Sequence, residues 1–367
     1  MPLYVATRKG LFIIDEGRWT IGKPHFLGDP VSAVLPQREA IYAALNLGHF
    51  GVKLHRSDNR GDSWTEVAAP AYPAKPEGSE DKVPWKLLQI WTLEGAGKDL
   101  WAGTIPGGLF HSGDRGESWT LVRSLWDRKE RSEWFGGGYD QPGIHSICLA
   151  GGKITIAISC GGTWQSADRG ASWQLAGKGM YAEFMPPERR DDPNIQDVHR
   201  LAQCASRPDV FWAQHHNGVF RSTDGAANFQ EIKAVAPSKF GFAVAAHPKN
   251  PDTAWFVPAV KDECRAAGVE AIDCPYTFSD TKGAVADARH AKQLGYRMKS
   301  LVDPSHAKAI NAVFTPSRAE LAKARKIVRA FERARAAGRD RAKVGGALIE
   351  LPIYAAAKRL LASAARN

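Results

Sequence analysis

One eight-residue pattern recurs four times in this 367-residue chain, and it limits the folds that the sequence can adopt. The pattern is Ser-x-Asp-x-Gly-x-x-Trp, and successive copies begin 55, 54 and 56 residues apart. The copies occupy residues 57–64, 112–119, 166–173 and 222–229. A repeat of this length indicates an architecture in which each unit needs neighbours to bury its faces.

The residues of the pattern suit a tight turn between two strands. Aspartate can accept backbone N–H bonds within its own turn, glycine takes a positive φ at no steric cost, and tryptophan can pack under the hairpin. The structural residues identified in this way are Asp114, Gly116, Trp119, Asp168, Gly170, Trp173 and Asp224. Two copies depart from the pattern, with Asn59 in the first and with Ala226 and Phe229 in the last. We expect looser turns in these two copies.

Each copy follows two short apolar segments around a small-residue turn, so that one repeat holds four short strands. Such a unit is typical of a β-propeller blade. The strand before the repeated turn is then the third of its blade, and the strand after it is the fourth. The first, innermost strands are predicted near residues 32–35, 88–93, 143–149, 198–204 and 241–246. The sequence therefore predicts a mostly β fold, with an incomplete propeller of about four to five four-stranded blades over residues 1–264.

The pattern resembles the Asp-box, or BNR, repeat of sialidase-like and sortilin-like β-propellers. The resemblance implies a ligand-binding module that is catalytically silent, or else a glycoside hydrolase. Sialidases use an arginine triad that binds the substrate carboxylate, a Tyr/Glu nucleophile pair and an Asp acid/base. The candidates for these roles are Tyr181, Glu183, Tyr139, Asp140, Arg189, Arg190 and Arg200.

Long insertions join the fourth strand of one blade to the first strand of the next, and they all lie on one predicted face. They span residues 68–83, 126–142 and 177–197. Loops on a rigid scaffold often carry binding residues, and tryptophans suit stacking on sugars or peptides. The predicted ligand is a small molecule, a glycan or a peptide, and its candidate binding residues are Trp126, Trp134, His145, His199, His215 and His216. The histidines could bind a metal ion or a polar ligand, or they could bond to the backbone and line a wet channel.

From residue 266 the sequence predicts strands alternating with helices, which indicates βα units rather than blades. A buried strand is predicted before residue 280, a helix over 281–294 and a second strand over 296–302. Ser317 and Glu320 have the spacing of a capping box at the start of a helix that reaches about residue 337. A final helix is predicted over about residues 352–364.

Residues 266–367 resemble the C-terminal third of the citrate lyase β chain and malyl-CoA lyase family. The motifs that carry the resemblance are residues 268–276, 278–280, Gly295 with Lys299, 303–305, 311–316 and the lid-like 346–352. The resemblance implies an α/β fragment of a TIM barrel with C-terminal helices. It also implies an alternative function, Mg²⁺-dependent carbon–carbon bond cleavage in an acyl-CoA. The polar residues of this segment that such a function would use are Asp273, Lys299, Asp303 and Glu350.

This segment also departs from the lyase family. The family's Mg²⁺-binding carboxylates and its substrate arginine lie in earlier barrel strands, which this chain replaces with the propeller. Asp303 stands where the family has His, and Glu350 stands where the family's lid has Asp. Mg²⁺ is therefore expected only if the lyase function holds, and the sequence establishes no other cofactor.

Composition adds expectations about partners and compartment. Residues 266–367 contain 19 Lys and Arg and 9 Asp and Glu, so they account for the whole net charge of +10. These basic residues lie on helical patterns that suit a solvated face, so we expect no nucleic-acid partner. No run of 18 apolar residues and no signal-peptide pattern is present, and we expect no membrane partner. Five cysteines without a Cys-x-x-Cys pair favour a cytoplasmic location.

Overall fold

The structure, a computed structural model, describes residues 2–136, 140–235, 238–258, 272–276, 279–293, 296–337, 339, 341–349 and 351–364. The chain divides into two compact units, Met1–Ala259 and Val260–Asn367. Two predicted site residues, Tyr139 and Glu350, lie outside the described residues, as do residues 268–271, Phe278 and Gly295 of the lyase-like motifs.

The first unit consists of antiparallel sheets whose strands follow one another in sequence order. The first sheet has three strands, β1 (Leu3–Thr7), β2 (Gly10–Asp15) and β3 (Thr20–Ile21). The second sheet comprises β4 (Val31–Pro36), β5 (Ile41–Asn46), β6 (Val52–Ser57) and β7 (Thr65–Val67). The third comprises β8 (Gln89–Ala96), β9 (Asp99–Ile105), β10 (Leu109–Ser112) and β11 (Thr120–Leu121).

Two more four-stranded sheets and one pair of strands complete this unit. The fourth sheet comprises β12 (Ile144–Ala150), β13 (Lys153–Ile158), β14 (Gly162–Ser166) and β15 (Gln174–Ala176). The fifth comprises β16 (Val198–Cys204), β17 (Arg207–His215), β18 (Gly218–Ser222) and β19 (Gln230–Glu231). The pair is β20 (Gly241–Ala246) with β21 (Ala254–Pro258). The loops contain a short helix, α1 (Arg123–Trp126), and 3-10 turns at Gly48–Phe50, Lys129–Glu133 and Pro193–Ile195.

The first strands of successive sheets lie side by side, with β4 next to β8, then β12, β16 and β20. This is the arrangement of propeller blades around an axis. Neighbouring blades share their cores, because Leu54, Ile90 and Phe110 from the second and third sheets form part of one cluster. All three are fully buried, and each such side chain contributes roughly 1.5–3 kcal/mol on burial. The prediction of four full blades with partial sheets is confirmed for the described residues.

The repeated turns have the predicted geometry. In the third copy, the Asp168 carboxylate accepts the Ser172 N–H at 2.8 Å and the Ser166 hydroxyl at 2.7 Å. Gly116 and Gly170 have φ values of +84° and +88°. The residue before each of them, Arg115 or Arg169, also has a positive φ.

The expectation of looser turns in the two divergent copies is wrong. Asn59 Oδ1 accepts the Ser63 N–H at 2.9 Å, and its amide nitrogen donates to the Ser63 hydroxyl at 2.8 Å. Ala226 adopts a φ of +66° and donates its N–H to the Ser222 hydroxyl at 3.0 Å. An amide therefore replaces the carboxylate, and a methyl group fits in place of the glycine hydrogen, without loss of the turn's hydrogen bonds.

Each innermost strand carries a register shift near its first residues, at Ser32, Trp91, His145, His199 and Phe242. We call these five positions the bulge positions. A β-bulge re-aims a side chain and commonly occurs beside functional sites. Side chains from neighbouring blades meet at these positions, because the rings of Trp91 and His145 are 5.4 Å apart and those of His199 and Phe242 are 4.6 Å apart.

The second unit contains parallel strands β22 (Ile272–Tyr276) and β23 (Met298–Leu301), which are joined by α2 (Thr281–Gln293). A 3-10 turn at Pro304–His306 then leads into the remaining elements. These are α3 (Ala307–Phe314), α4 (Arg318–Ala336), the hairpin β24 (Ala342–Val344) and β25 (Ala347–Ile349), and α5 (Leu351–Ala364).

The start of α4 follows from its sequence. Ser317 accepts the Glu320 N–H at 3.1 Å, and the Glu320 carboxylate accepts the Ser317 N–H at 2.7 Å, which completes the predicted capping box. This helix buries four side chains spaced three and four residues apart, Ala324, Ile327, Phe331 and Ala334.

The prediction of a TIM-barrel fragment is not confirmed. Over the described part of the second unit, one pair of parallel strands is present, and the strands of the lid-like region pair as an antiparallel hairpin. A barrel requires strands on both sides of each parallel strand. No helix in the described residues is long and apolar enough to cross a membrane.

Candidate functional site

A carboxylate and two imidazoles meet where the fifth sheet begins. Asp197 immediately precedes β16, His199 is the bulge residue of that strand, and His216 follows β17. Asp197 Oδ2 lies 3.3 Å from His199 Nε2 and 3.3 Å from His216 Nδ1. The backbone N–H of His216 also donates to the Asp197 carbonyl at 3.0 Å, which holds the two loops together. We call these three residues the Asp–His cluster.

The charges in the Asp–His cluster are strongly coupled. Burial opposes ionisation of Asp197, but the hydrogen bond from His199 and the neighbouring imidazoles outweigh this and lower its pKa to about 2. For His199, burial lowers the pKa, but hydrogen bonds to Asp197 and to the Gly241 carbonyl outweigh that effect and raise it. The carboxylate is therefore ionised, and its partner is more basic than an ordinary histidine.

Both ring nitrogens of His199 face acceptors. Nδ1 donates to the Gly241 carbonyl oxygen at 2.6 Å, and Nε2 faces Asp197 Oδ2. A neutral ring would therefore direct an Nε2 lone pair at a carboxylate. A positive charge between His199 Nε2 and Asp197 Oδ2 removes this repulsion, and it can be a proton on Nε2 or a bound cation. In the described part of the chain, the ligand atoms of Asp197, His199 and His216 form the group that could hold a metal ion, all within 4.8 Å of one another.

The other two predicted histidines are buried and neutral. Burial lowers the pKa of His145 and of His215 to about 3. His145 Nδ1 contacts the Ser146 hydroxyl at 2.9 Å, and His215 Nδ1 accepts the Asn217 N–H at 3.1 Å. Within the described residues, His215 Nε2 is buried without a hydrogen-bond partner. The structure thus brings two of the four predicted histidines into the cluster.

Aromatic side chains surround the cluster. The His216 ring contacts Phe184 (5.3 Å between centroids) and Phe240 (5.4 Å), while His199 stacks on Phe242. Phe135 contacts Phe184 on its far side at 6.5 Å. Phe135, Phe184 and Phe242 are 37%, 44% and 62% exposed, so apolar surface faces solvent next to a buried ion pair. We call these four phenylalanines the aromatic rim.

The expectation that Trp126 and Trp134 are exposed for stacking is wrong. Their exposures are 1% and 5%. Trp126 packs under the Arg131 guanidinium, 4.0 Å from its ring, and the Trp134 indole donates to Asn194 Oδ1 at 2.9 Å. Trp126 also packs against Tyr72 of the preceding insertion, and Trp134 packs against Trp164 of β14. Neighbouring loops and strands thus bury these rings, which hold the insertion in place.

The predicted glycosidase residues are engaged elsewhere. Arg189 pairs with Glu133 and Asp192, and Arg200 donates to the His145 carbonyl at 2.7 Å. Arg190 lies over the Tyr181 ring, 4.7 Å from its centroid. The structure does not bring these arginines together as a triad.

The hydrogen-bond partner of Tyr181 is also not the predicted Glu183 but Glu231. Burial and a hydrogen bond to Glu231 raise the pKa of Tyr181. Glu183 instead accepts from the Asn217 side chain at 3.3 Å. Asp140 is exposed.

In the second unit, Lys299 lies between two carboxylates. Its ammonium group, on a fully buried side chain, contacts Asp273 and lies 2.7 Å from Asp287. Asp303 instead caps the 3-10 turn that follows it, accepting the Ser305 N–H at 2.9 Å. The structure therefore brings Asp273 and Lys299 together and places Asp303 in a local structural role.

The sequence patterns described above do not identify Asp197 or the aromatic rim. Asp197 and His199 are two residues apart at the start of a predicted strand, a spacing that places both side chains on one face. That spacing was an available signal. The pairing with His216 depends on how two strands meet, and no local pattern shows it.

No family model matches the chain. Curated relatives match part of it. Citrate lyase subunit beta of Leuconostoc mesenteroides subsp. cremoris is 25% identical over 165 residues, which is 42% of this chain and 55% of the relative. The L-malyl-CoA/beta-methylmalyl-CoA lyase of Cereibacter sphaeroides is 36% identical over 98 residues, 26% of this chain and 31% of the relative. The (3S)-malyl-CoA thioesterase of the same species is 35% identical over 101 residues, 27% of this chain and 35% of the relative.

The chain thus spans about a third to about half of the length of these relatives. Homology with citrate lyase β and malyl-CoA lyase over part of the chain is confirmed. Solved structures that match part of this chain include the GH74 xyloglucanase from Xanthomonas campestris, with 17% identity, a TM-score of 0.42 and coverage of 70% of this chain and 49% of that one. They also include YCF48 bound to D1 peptide, with 14% identity, a TM-score of 0.35 and coverage of 70% and 84%. CitE from Mycobacterium tuberculosis, in complex with magnesium, acetoacetate and coenzyme A, has 24% identity and a TM-score of 0.24, and covers 28% of this chain and 39% of that one.

Proposed function

We propose that the first unit is a ligand-binding module without glycosidase activity, and that its site comprises the Asp–His cluster and the aromatic rim. The observation that carries this proposal is that the exposed Phe242 stacks on His199 of the buried Asp197–His199 pair, while the exposed Phe184 contacts His216 beside it. Aromatic faces bind flat apolar or sugar rings, while a few precisely placed polar groups fix the ligand's orientation. The ligand is then a small molecule, a glycan or a peptide that presents one ring and one polar group.

Binding can be tested with the full chain and three probe sets: oligosaccharides, aromatic carboxylates and short peptides with aromatic residues. We expect one set to raise the thermal midpoint of unfolding. In titration calorimetry, Phe184→Ala should weaken binding of that probe about 10-fold, as expected for loss of one stacking ring. Phe50→Ala is the matched control, because Phe50 is 78% exposed in another blade. Failure of all three sets to bind, or equal loss in both variants, would contradict the proposal.

The absence of glycosidase activity can be measured separately. A fluorogenic sialoside should not be hydrolysed, because Arg189 and Arg200 are bound to internal partners and Tyr181 is kept protonated. Hydrolysis that is lost in Tyr181→Phe would instead establish a sialidase-like site.

A second candidate function rests on homology. The residues that carry the lyase resemblance lie in the second unit, so this unit is the candidate for acyl-CoA chemistry. Its described residues do not fit Mg²⁺, because the Lys299 ammonium already lies between the carboxylates of Asp273 and Asp287. A hard divalent cation needs several free oxygen ligands.

We therefore expect no cleavage of malyl-CoA or citramalyl-CoA with Mg²⁺ in a coupled assay. Turnover that is abolished in Asp273→Asn and unchanged in the propeller variant Phe184→Ala would favour the lyase function instead.

A further inference from the structure

We propose that Asp197, His199 and His216 bind a divalent transition-metal ion, with Zn²⁺ as the best fit, and leave one coordination position open. This proposal does not depend on the ligand proposed above. Carboxylate oxygen and imidazole nitrogen are ligands that zinc commonly takes, and three protein ligands with one open position are typical of zinc sites that receive water or a substrate.

The distances within the cluster support coordination. Zinc lies about 2.0–2.2 Å from nitrogen and oxygen ligands, so two ligand atoms of a tetrahedral site are about 3.3–3.6 Å apart. Asp197 Oδ2 is 3.3 Å from each imidazole nitrogen. A hydrogen bond between an imidazolium and a carboxylate is shorter, about 2.7–2.9 Å. Both separations are therefore at the long end for hydrogen bonds between charged groups and match two edges of a tetrahedron.

The surroundings of His199 also suit a metal ligand. Metal-binding histidines usually donate their second ring N–H to a carbonyl or a carboxylate, which fixes the tautomer. His199 does so through Nδ1 and the Gly241 carbonyl, and this leaves an Nε2 lone pair directed at the cluster. A cation bound at this point attracts both that lone pair and the Asp197 carboxylate, which otherwise repel each other.

His215 gives an independent indication that the site accepts a further group. Its Nδ1 accepts a backbone N–H, so the proton of the neutral ring is on Nε2, which has no partner in the described residues although the side chain is fully buried. Asp197, His199 and His216 are the titratable groups close enough to act on this ring. An unpaired donor of this kind suits an acceptor atom, such as the oxygen of a water or ligand on the open metal position.

The test uses the tag-free full chain after treatment with a chelator. Zn²⁺ titrated against a chromophoric competitor should bind with a stoichiometry of one per chain, and Co²⁺ should give the visible absorption bands of a four-coordinate site. His216→Ala should weaken Zn²⁺ binding by about 100-fold or more, since it removes a direct ligand. His216 has 42% of its side chain exposed, so this variant should still fold.

His111→Ala is the matched control, because His111 pairs with Asp99 as one imidazole and one carboxylate without a second histidine. It should leave Zn²⁺ binding unchanged. If wild-type protein binds no Zn²⁺, or if His216→Ala binds it as tightly as wild type, the cluster is a proton-bridged ion pair and the proposal is wrong. Near-UV circular dichroism of each variant separates lost binding from lost folding.

Discussion

At the scale of single residues, one side chain holds each repeated turn. The third position of the pattern accepts the N–H four residues later, and it does so whether it is Asp, as in Asp168, or Asn, as in Asn59. The charge is therefore not required for the geometry. It does change how the turn responds to acid, because hydrogen bonds from Ser172 and Ser166 lower the pKa of Asp168 to about 2.

Substitution of Asp168 separates charge from geometry. A carboxyl group whose pKa is lowered on folding stabilises the fold above its ordinary value of 3.8, and this contribution is lost as the pH falls through about 2. At neutral pH, Asp168→Ala should lower the thermal midpoint more than Asp168→Asn. The difference between wild type and Asp168→Asn should shrink as the pH is lowered across this range. A pH-independent difference in thermal unfolding would show that the charge has no role.

Single residues were predictable where their partners are local in sequence. The aspartates and glycines of the turns bond within five residues, so the pattern alone indicated their roles. The Asp–His cluster joins residues 197, 199 and 216 from two strands, and only part of it was visible in the sequence. Trp126 and Trp134 were misjudged because the exposure of a loop residue depends on how the loop folds back, which no local pattern encodes.

At the scale of elements, the innermost strands matched their predicted positions closely, and so did α4 with its capping box. Their bulges could not be predicted, because a bulge is defined by the register with a partner strand rather than by composition. One sequence feature does relate to them. Gly143 precedes β12, and a Cβ atom at this position would lie 2.4 Å from the Trp91 ring and 2.8 Å from Ile105.

Gly143→Ala should therefore disturb the contact between two bulge positions. Forcing a methyl group into this packed space should cost about 1–3 kcal/mol of unfolding free energy, measured by chemical denaturation. Gly113→Ala is the control, because nothing lies within 4 Å of the Cβ that it adds. If Gly143→Ala is as stable as Gly113→Ala, the two blades do not pack tightly at this point.

At the scale of the whole molecule, each unit has its own hydrophobic clusters. Phe331 is buried with Ile327 in the second unit and stacks on Tyr354 at 4.6 Å. Phe110 is buried between the second and third sheets of the first unit. The change from a four-strand period to βα units in the sequence predicts a boundary at residues 264–266, and the compact units of the structure divide between residues 259 and 260. The number of parallel strands in the second unit was not predictable, because a motif match identifies residues but not the completeness of a sheet.

Separate cores predict separate effects on unfolding. Phe331→Ala should destabilise the second unit by about 3–5 kcal/mol and lower one transition in differential scanning calorimetry of the full chain. Phe110→Ala should lower a different transition by a similar amount. A single transition that both variants shift equally would mean that the two units unfold together.

The bulge positions are places where single substitutions can change which ligand the first unit binds. Each of the five belongs to a different sheet, and in the described part of the first unit none of their side chains is a member of a hydrophobic cluster. Replacing one of them alters the lining of the axis while the interior of the blade that carries it stays intact. A scaffold of this kind can acquire new ligands by single substitutions at these places, with little risk to folding at Phe242, which is 62% exposed, and more at His199, which pairs with the buried Asp197.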